Sequence, residues 1–586
     1  MAGPSLLRRL PGRHLVTAVG VAIGRTMVGE WRASDPHRWL TDRPRPEGFA
    51  LQPRDARPPD PGAGRLLMNG VVDLAGSSMV IGVGGDPWDR PSPSRTFATA
   101  LHQFNWLPDL VASGPDGAAE ALRLVLEWRR LFGRWNSFAW DTTIMSRRVF
   151  NLACSGPSLT ARASDAETLQ IATDLARQAR NLLGPGGITT AADRAVAAAV
   201  AGVALRGRAG ERLLAKALAK LSRALPRTVA ADGSHATRQP SAALELLFDL
   251  QTLDEAMVQR GLAAPDAVQR AIDRLATAVQ FYTLADGSLA GGRGEVARDP
   301  AYVAAARAHD EVFDRPIPSE LGGFQRMESG RLQVIANVAP PLSGPWSLES
   351  GASPLSLQVL AGGRRLIDLA AGRTLDTASS VQVSERELCR PIEGYAARVL
   401  GPRLVENKIA VEVQRHEAPG AVWLDMAHHG WARRFGLLHQ RRLYLDLEVG
   451  DLRGEDRLTP MARAQGPDGR HFVGFALRFQ LHPEVRALVA QDLRSVLLRV
   501  EGESEGWVLR NDTLDISIEP APRSGRPALQ LVMRGQRRAD SGARVRWRLS
   551  AAKGVTAPAK RTLPAMRRAD LMDDPVRLVD GTPSEA

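Results

Sequence analysis

Only two cysteines, Cys154 and Cys389, occur in 586 residues, and they lie far apart in the chain. That excludes a disulfide framework and a cysteine-based zinc site, and it leaves the compartment open. Lysine is nearly as scarce: Lys216, Lys220, Lys408, Lys553 and Lys560 are the whole complement among 76 basic residues. Aromatics are 5% of the chain and tyrosines number four. With few stacking platforms and arginines scattered rather than striped along the sequence, no nucleic-acid partner is expected. No apolar run approaches the ~20 residues that span a bilayer. "LVTAVGVAIG", after Arg8, Arg9 and Arg13, is ten residues long, lacks an A-x-A-type cleavage site and ends at Arg25. It reads as an N-terminal helix in preference to a signal peptide. A P-loop, a G-x-S-x-G elbow and H-E-x-x-H are also missing. "GVGGD" at 82–86 lacks the strand–turn–helix context of a dinucleotide site.

What is present fits a large folded chain. The hydrophobic fraction is 44% and the formal net charge is +12. The length calls for more than one domain. The charge has two readings that composition cannot separate, arginine-rich coding or an acidic partner. Residues 1–94 hold the N-terminal helix, a proline-rich connector at 42–64 and a short β-like segment. From 95 to 320, stretches such as "GAAEALRLVLEWRRLFGRW" and "ERLLAKALAKLSRAL" carry apolar residues at helical spacing, joined by short loops. From 321 to 552 the period changes to two, as in "RRLYLDLEVGDLRGEDRL" and "RVRWRLS", with turn residues between runs. Residues 553–586 lose the pattern and read as a disordered tail. Helices followed by strands predict separate α and β domains.

Three stretches hold more polar chemistry than folding requires. In "DGSHATRQPSAALELLFDL", residues 232–250, Pro240 suits the first turn of a leucine-rich helix and keeps Gln239 extended. His235, Thr237, Arg238 and Gln239 therefore lie on a rigidly anchored lead-in, either a capped loop or a ligand-facing edge. In "WNSFAWDTTIMSRRVFNLACSG", Trp140, Arg147 and Asn151 fall at i, i+7 and i+11 on one helix face. They form either a sugar-binding face or a buried polar network; Asn105, in "HQFNWLPDL", has similar character. In "MAHHGWARRFGLLHQRRLYLDLEVGDLRGEDRL", His428 and His429 are neighbours and point to opposite faces of a strand, so no H-x-H ligand pair exists.

Together these stretches resemble the heparinase II/III family of polysaccharide lyases, in particular its alphaproteobacterial branch, over about residues 95–552. The first is similar to the family's D-G-G-H-x-x-R-x-P segment before a Leu-rich helix. The third is similar to H-D-G-Y-x-x-R-F-G-L-x-H-x-R-x-L ending in G-E-D, and the second resembles a W-x-x-x-x-x-x-R-x-x-N-W-L helix near the cleft. The resemblance implies an incomplete α/α toroid followed by an antiparallel β-sandwich, the order read from periodicity.

It also implies β-elimination at a uronate of an acidic polysaccharide. One group takes the C5 proton, another protonates the departing oxygen, and a polar group neutralises the carboxylate. On that basis His235, Tyr282 and His428 are the expected catalytic residues. Arg238, Gln239, Trp140, Arg147, Asn151, Asn105 and Trp431 are expected to bind substrate. Departures accompany the match. Ala242 and Ala243 replace a Tyr-His pair after Ser241, Ala378 stands where a sandwich histidine is usual, and H-D-G-Y has become His428-His429-Gly430-Trp431. No metal or other cofactor is expected. The departures leave a second reading, a catalytically impaired relative that binds envelope or extracellular polysaccharide. The resemblance implies the cell envelope or periplasm, with the cytoplasm still open.

Overall fold

The computed structural model describes residues 12–552 except 292–298, 309–315, 349–350, 371, 373, 402, 406–408, 462–471, 522–526 and 539. The tail at 553–586 lies outside the described residues.

A 22-residue helix, Gly12–Ala33, opens the described chain and rests Ala18 against Ile392 and Leu400. Among the described residues, no helix is long and apolar enough to cross a membrane. The proline-rich connector is packed against the helical region and is not a free linker. It forms the helix Pro61–Met68 and buries Phe49, and Arg57 reaches Asp249 of another helix at 2.6 Å. A hairpin, Val71–Leu74 with Ser77–Val80, follows.

The helical region runs from Arg95 to Arg307, with long members such as Pro115–Phe132, Thr142–Leu159, Arg208–Thr228 and Pro240–Gln259. Local sequence sets their starts: Asp141 caps Thr142–Leu159, and Ser164 with Glu167 forms a reciprocal capping box. Ala191–Ala204 is apolar on nearly every side, so it occupies the middle of the assembly. Arg208–Thr228 is apolar on one stripe, with Leu213, Ala217, Leu221 and Leu225 buried and lysines outward.

Two antiparallel sheets follow. One orders its strands Val485–Val489, Ser495–Val500, Gly506–Asn511, Ala543–Ala551, Leu452–Pro460, Leu437–Asp446, Ala421–His428 and Val411–Ala418. The other runs from Ile516–Pro520 through Leu529–Arg538, Phe472–Leu481 and Arg364–Asp368 to the strands between Glu320 and Ala361. Their inner faces share one core. A second core joins sandwich residues Leu321, Phe324, Ile335 and Leu360 to the helices. The two regions thus meet through a continuous apolar seam. The architecture is an α/α toroid followed by an antiparallel β-sandwich.

Candidate functional site

Polar groups stitch the seam where toroid and sandwich meet. Asp232 Oδ1 accepts from the Ser234 backbone at 3.0 Å, and Oδ2 accepts from Gly322 N at 2.9 Å. Arg326 reaches back to the carbonyls of Phe281 and Thr283. Arg365 donates to Leu289 O at 2.7 Å. Arg238 lies at φ +54°, a left-handed conformation uncommon outside glycine, and donates to Pro340 O at 2.6 Å.

Beside these contacts is a cavity lined by Thr237, Arg238, Gln239, Tyr282, Phe324, Asn337 and Gln358, among others. Its volume is about 50 Å³. That holds a water or two and is far below the ~300 Å³ at which small-molecule sites begin. Two polar atoms on its wall are buried without a hydrogen-bond partner among the described residues, Tyr282 Oη and Gln358 Nε2.

His235 stands next to this wall, 7% exposed, with its ring edge-on to Trp346 at 6.2 Å. Its Nδ1 accepts from Thr237 N at 3.2 Å and lies 2.7 Å from the Thr237 hydroxyl. The ring proton is therefore on Nε2. Burial lowers the His235 pKa to about 4, so the ring is neutral at pH 7 and offers a donor. Burial, assisted by Asp232, pushes the Tyr282 phenol well above its usual range. Burial also lowers Arg238, against the opposing pull of Tyr282 and Asp232. The described cavity wall contains no Asp, Glu, His or Lys. It can donate hydrogen bonds to an anion, but at neutral pH it offers no ready proton acceptor.

His428, expected to project into this cleft, is instead sealed in the sandwich with zero exposure. The register explains why. His428 pairs with His439 across adjacent strands, and Arg441 pairs with Asp456 one strand further, all on the inward face. Gly430 N donates to His428 Nδ1 at 3.1 Å, so Nε2–H of His428 donates to His439 Nδ1 at 3.0 Å. His439 Nε2 then donates to Asp456 Oδ1 at 2.9 Å. Arg441 Nε at 2.7 Å and Trp547 Nε1 at 3.0 Å complete the carboxylate's shell. Arg441 also donates to Leu355 O and Ser379 O, in loops that lead into strands of the opposite sheet. Burial alone would raise the Asp456 carboxyl, but Arg441 and His439 hold it far below the usual range. Both histidines are pushed down by burial. Gly454 keeps this layer closed, since a Cβ there would sit 2.1 Å from the Trp547 ring. These residues do not fit a metal. Both imidazoles are committed, and no group of three His, Cys, Asp or Glu among the described residues could hold an ion.

The other expected binding residues disperse. Trp431 is 1% exposed and packs on Phe435. Trp140 precedes its helix, donates to Phe132 O at 2.9 Å and lies under Arg177. Arg147 belongs to a buried ion-pair cluster with Asp249, Glu245, Arg57 and Asp55. Asn151 donates to the carbonyls of Gln103 and Phe104, the latter at φ +58°, which fixes the turn that carries Asn105. The face at i, i+7 and i+11 is thus a set of internal contacts, because the helix starts only at Thr142 and its neighbours close over it. Arg238, Gln239 and Tyr282 line the cavity, and His235 stands beside it. Sequence reading missed Asp232, Asn337 and Gln358. Asp232 alone had a signal, the Asp-Gly turn.

Fold and seam define the class, an α/α toroid joined to a β-sandwich as in heparinase-type lyases. Heparinase III matches with a TM-score of 0.65 at 13% identity, over 94% of both chains. A mutant of the heparan sulfate lyase HepC from Pedobacter heparinus matches at 0.55 and 14% identity, covering 89% of this chain and 88% of that one. The chain carries a domain of the heparinase II/III-like family: residues 370–548 match the family described as Heparinase II/III-like, C-terminal. It is also 45% identical over 570 residues to FtsZ-localized protein C of Caulobacter vibrioides, covering 93% of this chain and 98% of that protein.

Proposed function

We propose that this protein is a catalytically impaired member of the heparinase II/III-like family that localises with FtsZ, as the name of its Caulobacter relative describes. The observation that carries the reading is the seam cavity: the described residues of its wall include no carboxylate, histidine or lysine, and about 50 Å³ is free. β-Elimination needs a base at the C5 proton and room for at least one sugar. His428, the histidine expected from the sandwich, is spent on an internal relay, and one Arg238 nitrogen is taken by Pro340 O. This reading puts the chain where FtsZ is, in place of the envelope or periplasm implied by the lyases.

A second reading, elimination on an acidic polysaccharide, is favoured by the partnerless Tyr282 hydroxyl beside Arg238. Two measurements separate the readings. A fluorescent fusion imaged with labelled FtsZ is expected to track it through the division cycle. The purified protein with a panel of acidic polysaccharides is expected to show no rise in unsaturated-uronate absorbance. A rise abolished by Tyr282→Phe would establish the lyase, and a diffuse fusion would remove the FtsZ reading.

A further inference from the structure

On the outer face of the eight-stranded sheet, one row of side chains runs in register across six strands: His416, Trp423, Tyr444, Arg453, Arg548 and Arg510. The first three stack, with ring centroids 5.2 and 6.3 Å apart, and Arg453 lies over Tyr444 at 5.4 Å. The row then places three arginines directly opposite one another. Like charges in that relation repel. The neighbouring row alternates instead, Asp425, Arg442, Glu455, Arg546, and neutralises itself.

Local partners offset only part of the repulsion. Arg453 has Asp446 at 3.8 Å and Arg548 has Asp451. Arg510 is exposed with no carboxylate at ion-pair distance among the described residues, although Asp492 feels its charge. These arginines border a groove of about 1010 Å³ whose wall holds seven arginines against three carboxylates. The aromatic faces are already stacked on one another, so bases have no free platform there. The groove therefore suits carboxylates, which guanidinium groups bind in bidentate fashion.

The same wall includes Ala551 and Ala552, where the described chain stops. Residues 570–585 of the sequence carry Asp570, Asp573, Asp574, Asp580 and Glu585 against one arginine, Arg577. The intervening stretch can span at most roughly 60 Å, which reaches any part of the groove. A tether of this length holds its segment at an effective concentration on the order of millimolar, ahead of most free anions. We propose that the acidic segment 570–585 of this same chain occupies the arginine groove and neutralises the Arg453–Arg548–Arg510 row. The proposal stands apart from the seam cavity and from the FtsZ reading.

The test uses the full chain and a labelled synthetic peptide of residues 569–586. In one variant Asp570→Asn, Asp573→Asn, Asp574→Asn, Asp580→Asn and Glu585→Gln neutralise the chain's own segment. This variant is expected to bind the peptide at least about tenfold more tightly than the unaltered protein, because the tethered competitor is gone. Adding Arg494→Glu and Arg510→Glu, both exposed, is expected to abolish that binding while circular dichroism stays unchanged. Equal affinity in the unaltered and neutralised chains, or none in either, would overturn the proposal. So would single-stranded DNA of matched charge binding as tightly as the peptide, since the groove would then be a general anion surface.

Discussion

His428 Nε2 stands 3.0 Å from His439 Nδ1, and that contact is the middle link of a one-way chain running from Gly430 N–H to Asp456. Every ring nitrogen in it is committed as donor or acceptor. The longest motif in the sequence, from His428 to Asp456, is therefore read by the structure as the polar spine of the sandwich.

Removing the middle of the spine tests that role. His439→Ala strips a partner from both His428 and a buried carboxylate, and is expected to cost about 2–3 kcal/mol in urea unfolding. His429→Ala, one residue from His428, loses only a partly exposed contact to Glu412 at 3.2 Å and should stay within about 0.5 kcal/mol. Equal losses in the two variants would contradict the spine.

Buried histidines also set a pH dependence. In the unfolded chain each imidazole protonates near pH 6.5. In the fold burial holds His102 and His235 at about 4 and pushes His428 and His439 down as well. Between those values the unfolded state binds more protons, so stability is full above about 6.5 and falls as pH drops. The ceiling is about 1.4 kcal/mol per histidine per pH unit. Asp109 and Asp193, raised by burial to about 6, pull the other way. The clean readout is thus a difference: His235→Gln should lose less Tm than the unaltered protein between pH 7 and pH 5. Parallel curves would show that His235 is not held neutral.

The fold was legible because periodicity changes where the architecture changes, from a helical run ending near Arg307 to alternation beginning near Glu320. Chemistry at the seam was partly legible. The Asp-Gly turn and Pro240 place His235 and Arg238 ahead of the helix, where they lie, but only Gln239 is extended: 235–238 is a turn, with Arg238 N donating to His235 O at 2.7 Å and Arg238 at φ +54°. His428 was misassigned because which face of a strand points inward depends on register, and register is fixed by pairing partners far away in sequence. The arginine row was hidden for the same reason. Arg453, Arg510 and Arg548 are scattered in the chain, and only the strand order sets them side by side.

Tyr282→Phe separates a catalytic phenol from an idle one. The hydroxyl is buried without a partner among the described residues, a state that costs free energy. Removing it is expected to stabilise the protein by about 1 kcal/mol, read as a higher midpoint in thermal unfolding. A loss of stability would mean that the hydroxyl is satisfied by an ordered water in the cavity.

The tightest point of the seam is Gly322. It lies at φ +63°, and a Cβ there would sit 2.7 Å from Tyr282 Oη and 2.9 Å from Ser234 Cβ. Its N–H also donates to Asp232, so the backbone cannot retreat without giving up that bond. Gly322→Ala is expected to cost about 2–3 kcal/mol, through both the left-handed backbone and overpacking. Part of that cost comes from the Tyr282 hydroxyl alone. Combining Gly322→Ala with Tyr282→Phe should therefore recover about 1 kcal/mol beyond the gain of Tyr282→Phe by itself, a coupling that a double-mutant cycle resolves. Strict additivity would mean that the toroid and sandwich yield at this joint instead of clashing, and that the cleft between them is wider in solution than about 50 Å³.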